Sequence, residues 1–163
     1  MQETKVDYKG SVTLSLTVAG KKIKIKSHNN GTSSLFKLLC QCLTGNYPGT
    51  NYLPQYISLQ RSENGQDNWI SFLNGKQALT GKNYVEESQN NWVASFSGVI
   101  NYSSLVQTID PSDTGSYRLV LLSGIDGSSA VLATLAVDVK DLAKISPGTN
   151  LIIEWKMMFS NAS

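Results

Sequence analysis

Val12-Thr13-Leu14-Ser15-Leu16-Thr17-Val18, then Ala19-Gly20-Lys21, then Lys22-Ile23-Lys24-Ile25-Lys26, is the stretch whose pattern decides the fold class of this chain. Val12, Leu14, Leu16 and Val18 alternate with Thr13, Ser15 and Thr17, a period of two that belongs to a strand with one apolar face. Ala19-Gly20-Lys21 supplies a turn, and 22–26 returns as a second strand, so the reading is a β-hairpin. Lys22, Lys24 and Lys26 share one side of that strand. A lysine row of this kind reads as a solvated face or a protected sheet edge. A phosphate-binding stripe would call for more charge and for stacking aromatics nearby.

Outward from the hairpin, Ser27-His28-Asn29-Asn30-Gly31 is dense in turn formers and reads as a loop. A helix is expected over 33–44. Thr32 or Ser33 can cap its start, Leu35, Leu38, Leu39, Cys42 and Leu43 recur at helical spacing, and Gly45 stands where a helix usually stops. Such an amphipathic helix must pack on a sheet. Cys40 and Cys42 are two residues apart on it, so their side chains diverge by about 200° and cannot bridge each other. They are expected as small buried apolar side chains. Residues 45–54 then form a loop carrying Tyr47 and Tyr52.

The rest of the chain reads mostly as strand. Strands are expected at 56–60, at 69–73 after an Asn64-Gly65 turn, at 84–88 after a looser 74–83, and at 92–100. Further strands are expected at 117–122, at 130–139 after an Asp126-Gly127 turn, and at 151–159. One helical turn at 141–145 precedes the Pro147-Gly148 turn. In the closing strand Ile153, Trp155, Met157 and Phe159 make an apolar face, and Ile152, Glu154, Lys156 and Met158 make a mixed one. With Ile152 and Met158 on it, the mixed face is too apolar for open water, so the strand is either central and covered on both sides or meets another subunit. The expected fold is mainly β: a single domain over 1–163, an antiparallel β-sandwich of immunoglobulin-like or jelly-roll-like kind, with one amphipathic helix over an end or edge.

Composition narrows the function classes. The 163 residues are 40% hydrophobic but only 16% charged, and the polarity comes from Ser, Thr, Asn, Gln and 13 Gly. A net charge of +2 is too small to argue for a nucleic-acid partner. No apolar run approaches the ~18 residues of a membrane span. Residues 1–9 are polar and no apolar segment follows, so the expectation is a chain made in a cytoplasm without a secretory leader. Two cysteines that cannot meet exclude an intrachain disulfide, and a single histidine, His28, leaves no basis for a histidine metal centre. No cofactor is expected.

The catalytic look-alikes fail on spacing or context. Asp113-Thr114-Gly115-Ser116 carries the Asp-Thr-Gly of aspartic proteases, which need two carboxylates sharing a proton. The family has an apolar strand before that Asp, where this chain has the turn Asp110-Pro111-Ser112. Gly75-Lys76-Gln77-Ala78-Leu79-Thr80-Gly81-Lys82 has one residue too many between its glycines for a phosphate-binding loop, and Asn83 follows where Ser or Thr is required. Glu86 and Glu87 are adjacent, which sends them to opposite faces of a strand and rules out paired acid–base work. Three Asn-x-Ser/Thr sequons, beginning at Asn30, Asn101 and Asn161, are expected unmodified. The expectation is a protein that is not an enzyme.

The Asp113 segment resembles something else. Residues 104–109 followed by Asp110-Pro111-Ser112-Asp113-Thr114-Gly115-Ser116-Tyr117-Arg118-Leu119 resemble the E-to-F passage of immunoglobulin-like domains, in which Asp-x-Gly-x-Tyr forms a tyrosine corner. That family's Cys two residues after the Tyr is Leu119 here, so the resemblance concerns the sandwich and not an antibody-type disulfide.

Tyr47, Tyr52, Tyr56, Trp69, Trp92 and Tyr102 lie in or beside loops and strand ends, where aromatics either cap a sandwich or make an interface. The candidate interface residues are Ile152, Glu154, Lys156, Met158, Tyr47, Tyr52, Trp69 and Trp92. Gly31-Thr32-Ser33-Ser34-Leu35-Phe36-Lys37-Leu38-Leu39 after a Lys/Ile strand, with the closing residues 151–161, resembles small virion proteins of tailed bacteriophages: capsid decoration, head-fibre or tail components. The resemblance implies a non-enzymatic virion protein that forms homo-oligomers and docks on capsid or tail proteins, away from any membrane and without a nucleic-acid partner. The alternative is an immunoglobulin-like or carbohydrate-binding module that recognises a cell surface through loop aromatics.

Overall fold

The hairpin at 12–26 is the start of a longer ladder. The computed structural model describes residues 6–18, 21–46, 49–63, 68–88, 91–101, 109–124, 130–143 and 150–161. β1 (Val6–Val18) and β2 (Lys21–Gly31) run antiparallel from Val18 opposite Lys21 to Gly10 opposite Asn29. The expected loop at 27–31 is therefore strand. Its last residues, Asn30 and Gly31, pair with Thr134 and Ala133 across the molecule, and this tertiary pairing outweighs the local turn preference of Asn and Gly.

β3 (Pro54–Ser62), β4 (Ile70–Ser88), β5 (Asn91–Asn101), β6 (Ser116–Ser123), β7 (Val131–Val137) and β8 (Asn150–Asn161) complete an all-antiparallel order β1-β2-β7-β6-β3-β4-β5-β8, closed into a barrel by the β1–β8 ladder. The mainly β antiparallel architecture is thus the expected one, with its two layers joined at the sides. β4 pairs with β3 over 70–78 and with β5 over 79–88, and β2 pairs first with β1 and then with β7. Each acts as a corner that passes from one layer to the other.

The looser stretch expected at 74–83 lies inside β4. Ser58 stands opposite Lys76 while Leu59 stands opposite Phe72, so 73–75 bulge out of register. Gly75 takes φ +72, a left-handed conformation open to glycine at little cost. The buried Ser58 hydroxyl donates to the Gly75 carbonyl oxygen at 3.2 Å and holds the bulge. The alternation is lost there because the strand bends, not because it ends.

α1 (Ser33–Leu43) matches its sequence signals at both ends. Thr32 Oγ1 accepts from the Leu35 N–H at 3.4 Å, and Gly45, at φ +75, donates its N–H to the Cys42 carbonyl at 3.3 Å. Thr32 also ties the helix to the barrel. Its N–H donates to the Leu132 carbonyl at 2.9 Å, where the step from Leu121–Ala133 to Leu122–Val131 leaves Leu132 bulged from β7. Leu35 and Leu38 are buried, but Cys40, Cys42 and Leu43 are exposed. The expected burial of both cysteines is therefore corrected: α1 buries its first turns, and its last turn carries apolar side chains into solvent. α2 (Val139–Leu142) is the short helical turn expected near 141, placed slightly earlier.

The interior is filled by Ile57 and Leu59 of β3, Tyr117, Leu119 and Leu121 of β6, Ala133 and Leu135 of β7, and Leu151, Ile153, Trp155 and Met157 of β8. Leu35, Leu38 and Leu142 close it from the helices. Each large side chain removed from water contributes about 1.5–3 kcal/mol. Gly98 of β5 stands where Ile57 reaches across, and a Cβ there would overlap Ile57 Cδ1. The expected turns at Ala19-Gly20, Asn64-Gly65, Asp126-Gly127 and Pro147-Gly148, and the segment at 104–108, lie outside the described residues.

Candidate functional site

β8 is central. β1 and β5 pair along its two sides, and the strand's alternation buries Leu151, Ile153, Trp155 and Met157 on the inner side. On the outer side Ile152, Glu154 and Lys156 are exposed and Met158 is half-buried. Strand pairing sets them beside Val99, Ser97, Ser95 and Val93 of β5 in that order. With Gly81 and Asn83 of β4, Glu154 and Lys156 line a shallow depression of about 260 Å³. This outer face is polar at its centre, with Ile152 exposed at one end and Val93 buried beside half-buried Met158 at the other, so it is not a pocket for a small apolar ligand.

The aromatic candidates are not brought together. Tyr47 lies outside the described residues. Tyr52 borders a groove of about 270 Å³ formed with Lys37, Leu38, Ser123 and Leu132, between α1 and the ends of β6 and β7. Trp69 is half-buried at the start of β4, where the Arg118 guanidinium lies 4.0 Å from its ring centroid and donates to Gln60 Oε1 at 2.8 Å. That stacking binds Trp69 to its own sheet. Lys76 sits likewise 4.5 Å from the Tyr56 ring.

Trp92 has a different setting. It begins β5, is 48% exposed, and lies 6.2 Å from the ring of Tyr84, which is 75% exposed. Val85, on the opposite face of β4, is 46% exposed. Sequence reasoning singled out Trp92 and missed Tyr84 and Val85, which read as ordinary strand residues. The register of Tyr84 opposite Ala94, two pairs from Glu86 opposite Trp92, is what sets Tyr84 and Trp92 on one face, and register across a hairpin is not a local signal. A second exposed apolar set lies on α1, where Phe36 is 46% and Leu43 87% exposed.

The Asp113 turn is a closed structural unit. Arg61 of β3 donates to both carboxylate oxygens (Nε 3.1 Å, Nη2 2.9 Å), the Gly115 N–H donates at 2.7 Å, and the Tyr117 hydroxyl at 2.8 Å. The Arg61 pair first, then the Gly115 and Tyr117 donors, hold the Asp113 carboxyl well below the ordinary range. Asp110 is lowered too, by the Ser112 hydroxyl and N–H. A carboxylate so firmly ionised and so fully engaged is a poor proton acceptor. In the segment that resembles a tyrosine corner, the Tyr117 hydroxyl donates to the Asp113 side chain, and residues 104–108 before the turn lie outside the described residues.

Among the described residues no group of His, Cys, Asp and Glu is placed to hold a metal ion, and no helix is long and apolar enough to cross a membrane. No family model, curated protein or solved structure matches the chain.

Proposed function

We propose that this chain is a non-enzymatic assembly subunit, a structural protein of a tailed-bacteriophage virion that docks on capsid or tail proteins through exposed apolar and aromatic side chains. The observation that carries the assembly reading is the exposed aromatic pair Tyr84 and Trp92 at the β4–β5 hairpin, with exposed Val85 on the other face of β4 and a second apolar set, Phe36 and Leu43, on α1. Tyr and Trp are the side chains that dominate binding energy at protein interfaces. A subunit in a repeating structure needs more than one such patch. The virion setting rests on the sequence resemblance at 31–39 and 151–161. A glycan-binding module would have to stack its sugar on Trp92 or Tyr84, since Arg118 lies against the Trp69 ring.

Quantitative mass spectrometry of purified particles of the phage encoding the chain tests this reading. The expected result is the chain in fixed proportion to a capsid or tail protein, and a Tyr84→Ser/Trp92→Ser variant that folds but is depleted from particles. Absence of the wild-type chain from such particles would overturn it.

A further inference from the structure

β4 leaves β3 at Ala78, and over 79–88 its only described partner is β5. Among the described residues the other side of this half-strand is a sheet edge, and the backbone donors and acceptors of an edge are a template for another strand. The Tyr84 N–H donates to a side chain of its own strand, Asn83 Oδ1 at 2.9 Å. By the alternation of antiparallel strands, residues 82 and 86 turn their backbone groups the same way. Lys82, Tyr84 and Glu86 share one face and all three are exposed.

The order of these side chains is self-complementary. Lys82 stands two residues before Tyr84 and Glu86 two residues after it. We propose that this edge pairs antiparallel with the same edge of a second copy of the chain, with Tyr84 opposite Tyr84 at a two-fold axis. In that register Lys82 of each copy faces Glu86 of the other, and Asn83 faces Val85. Registers centred on residue 82 or residue 86 set Lys82 against Lys82 or Glu86 against Glu86, and like charges directly opposite are unfavourable. The pairing is isologous, as closed two-fold dimers require. Lys82 already donates to Gln55 Oε1 at 3.1 Å, so it would exchange a neutral acceptor for a charged one. The Trp92 ring beside Tyr84 extends the apolar part of the contact. This names the occupant of one patch and rests on the assembly reading above.

Sedimentation velocity of the full chain over a wide concentration range should show a reversible dimer. Lys82→Glu alone and Glu86→Lys alone should each weaken it by about tenfold, and the double swap should restore it, because opposite charges again face each other. Register is read with thiols in a Cys40→Ser/Cys42→Ser background. Chains carrying Asn83→Cys mixed with chains carrying Val85→Cys should form a disulfide-linked dimer, and neither should do so alone. A chain that stays monomeric, a dimer indifferent to both charge reversals, or equal cross-linking in the unmixed samples would overturn the proposal. A monomeric chain that is nonetheless present in purified particles removes the edge pairing and leaves the assembly reading standing. A dimer in this register that is absent from particles does the reverse.

Discussion

The Tyr117 hydroxyl donates to Asp113 Oδ2 at 2.8 Å, and the same carboxylate takes two donors from Arg61, which stands opposite Tyr117 on the neighbouring β3. One side chain thus ties the turn before β6 to the strand beside it. The Gly115 Cα lies so close to the guanidinium that an added Cβ would stand 2.9 Å from Arg61 Nε.

The cluster gives stability a defined pH dependence. Asp113 has its folded value lowered, so its contribution is complete above the ordinary carboxylate value of about 3.9 and is lost as pH falls below it toward the folded value. Tyr117 is raised, by burial first and then by its hydrogen bond to Asp113, so its contribution holds below about 10 and is lost as pH rises through the folded value. The melting temperature should fall below about pH 4 and above about pH 10. Asp113→Asn should shrink the acid limb and Tyr117→Phe the alkaline one, as followed by circular dichroism.

Gly98→Ala should destabilise by about 1–3 kcal/mol through overpacking against Ile57. Ile57→Val removes the methyl that the new Cβ would meet, at a cost of about 0.5–1.5 kcal/mol by itself. Urea unfolding of the double variant should therefore show a loss smaller than the sum of the two single losses. Strict additivity would mean that the two side chains do not meet.

Thr32→Ala should cost about 1–2 kcal/mol, since the residue caps α1 and its hydroxyl also reaches the Val131 and Leu132 carbonyls. Thr32→Ser keeps the hydroxyl and should recover most of that loss in the same urea titration.

Cys40 and Cys42 should both react with a thiol reagent in the native protein at rates close to those of unfolded chain, because both are exposed. Trp92 should be quenched by iodide while the fully buried Trp155 is not, so Trp92→Phe should remove most of the quenchable emission. Protection of the thiols, or quenching unchanged by Trp92→Phe, would contradict the placement of α1 or of β5.

What was legible in the sequence was whatever a local period or cap dictates. The 12–26 hairpin, the bounds of α1 from Thr32 to Gly45, and the inward face of Ile153, Trp155 and Met157 all follow from spacing alone. What was not legible depends on strands distant in sequence. Residues 27–29 became strand by continuing the ladder on β1, 30–31 through Thr134 and Ala133, and 74–83 through Ser58 and the Gly75 bulge. Trp92 showed as an aromatic at a strand end, but its neighbour Tyr84 emerges only from the register of β4 on β5. The candidate residues 152, 154, 156 and 158 share a strand, so alternation was enough to group them. Tyr52 and Trp69 had no such constraint and fall in separate places.

The position of β8 between β1 and β5 has a consequence for biosynthesis. Val6 lies opposite Asn161, and every pair of that ladder joins the opening residues of the chain to the closing ones. A chain still held at the ribosome before 150–161 emerge has two strands waiting with nothing between them, so the barrel is completed only after synthesis has passed this point. Nascent chains stalled ahead of Asn150 should be cut readily by protease, and chains from which 150–161 have emerged should resist.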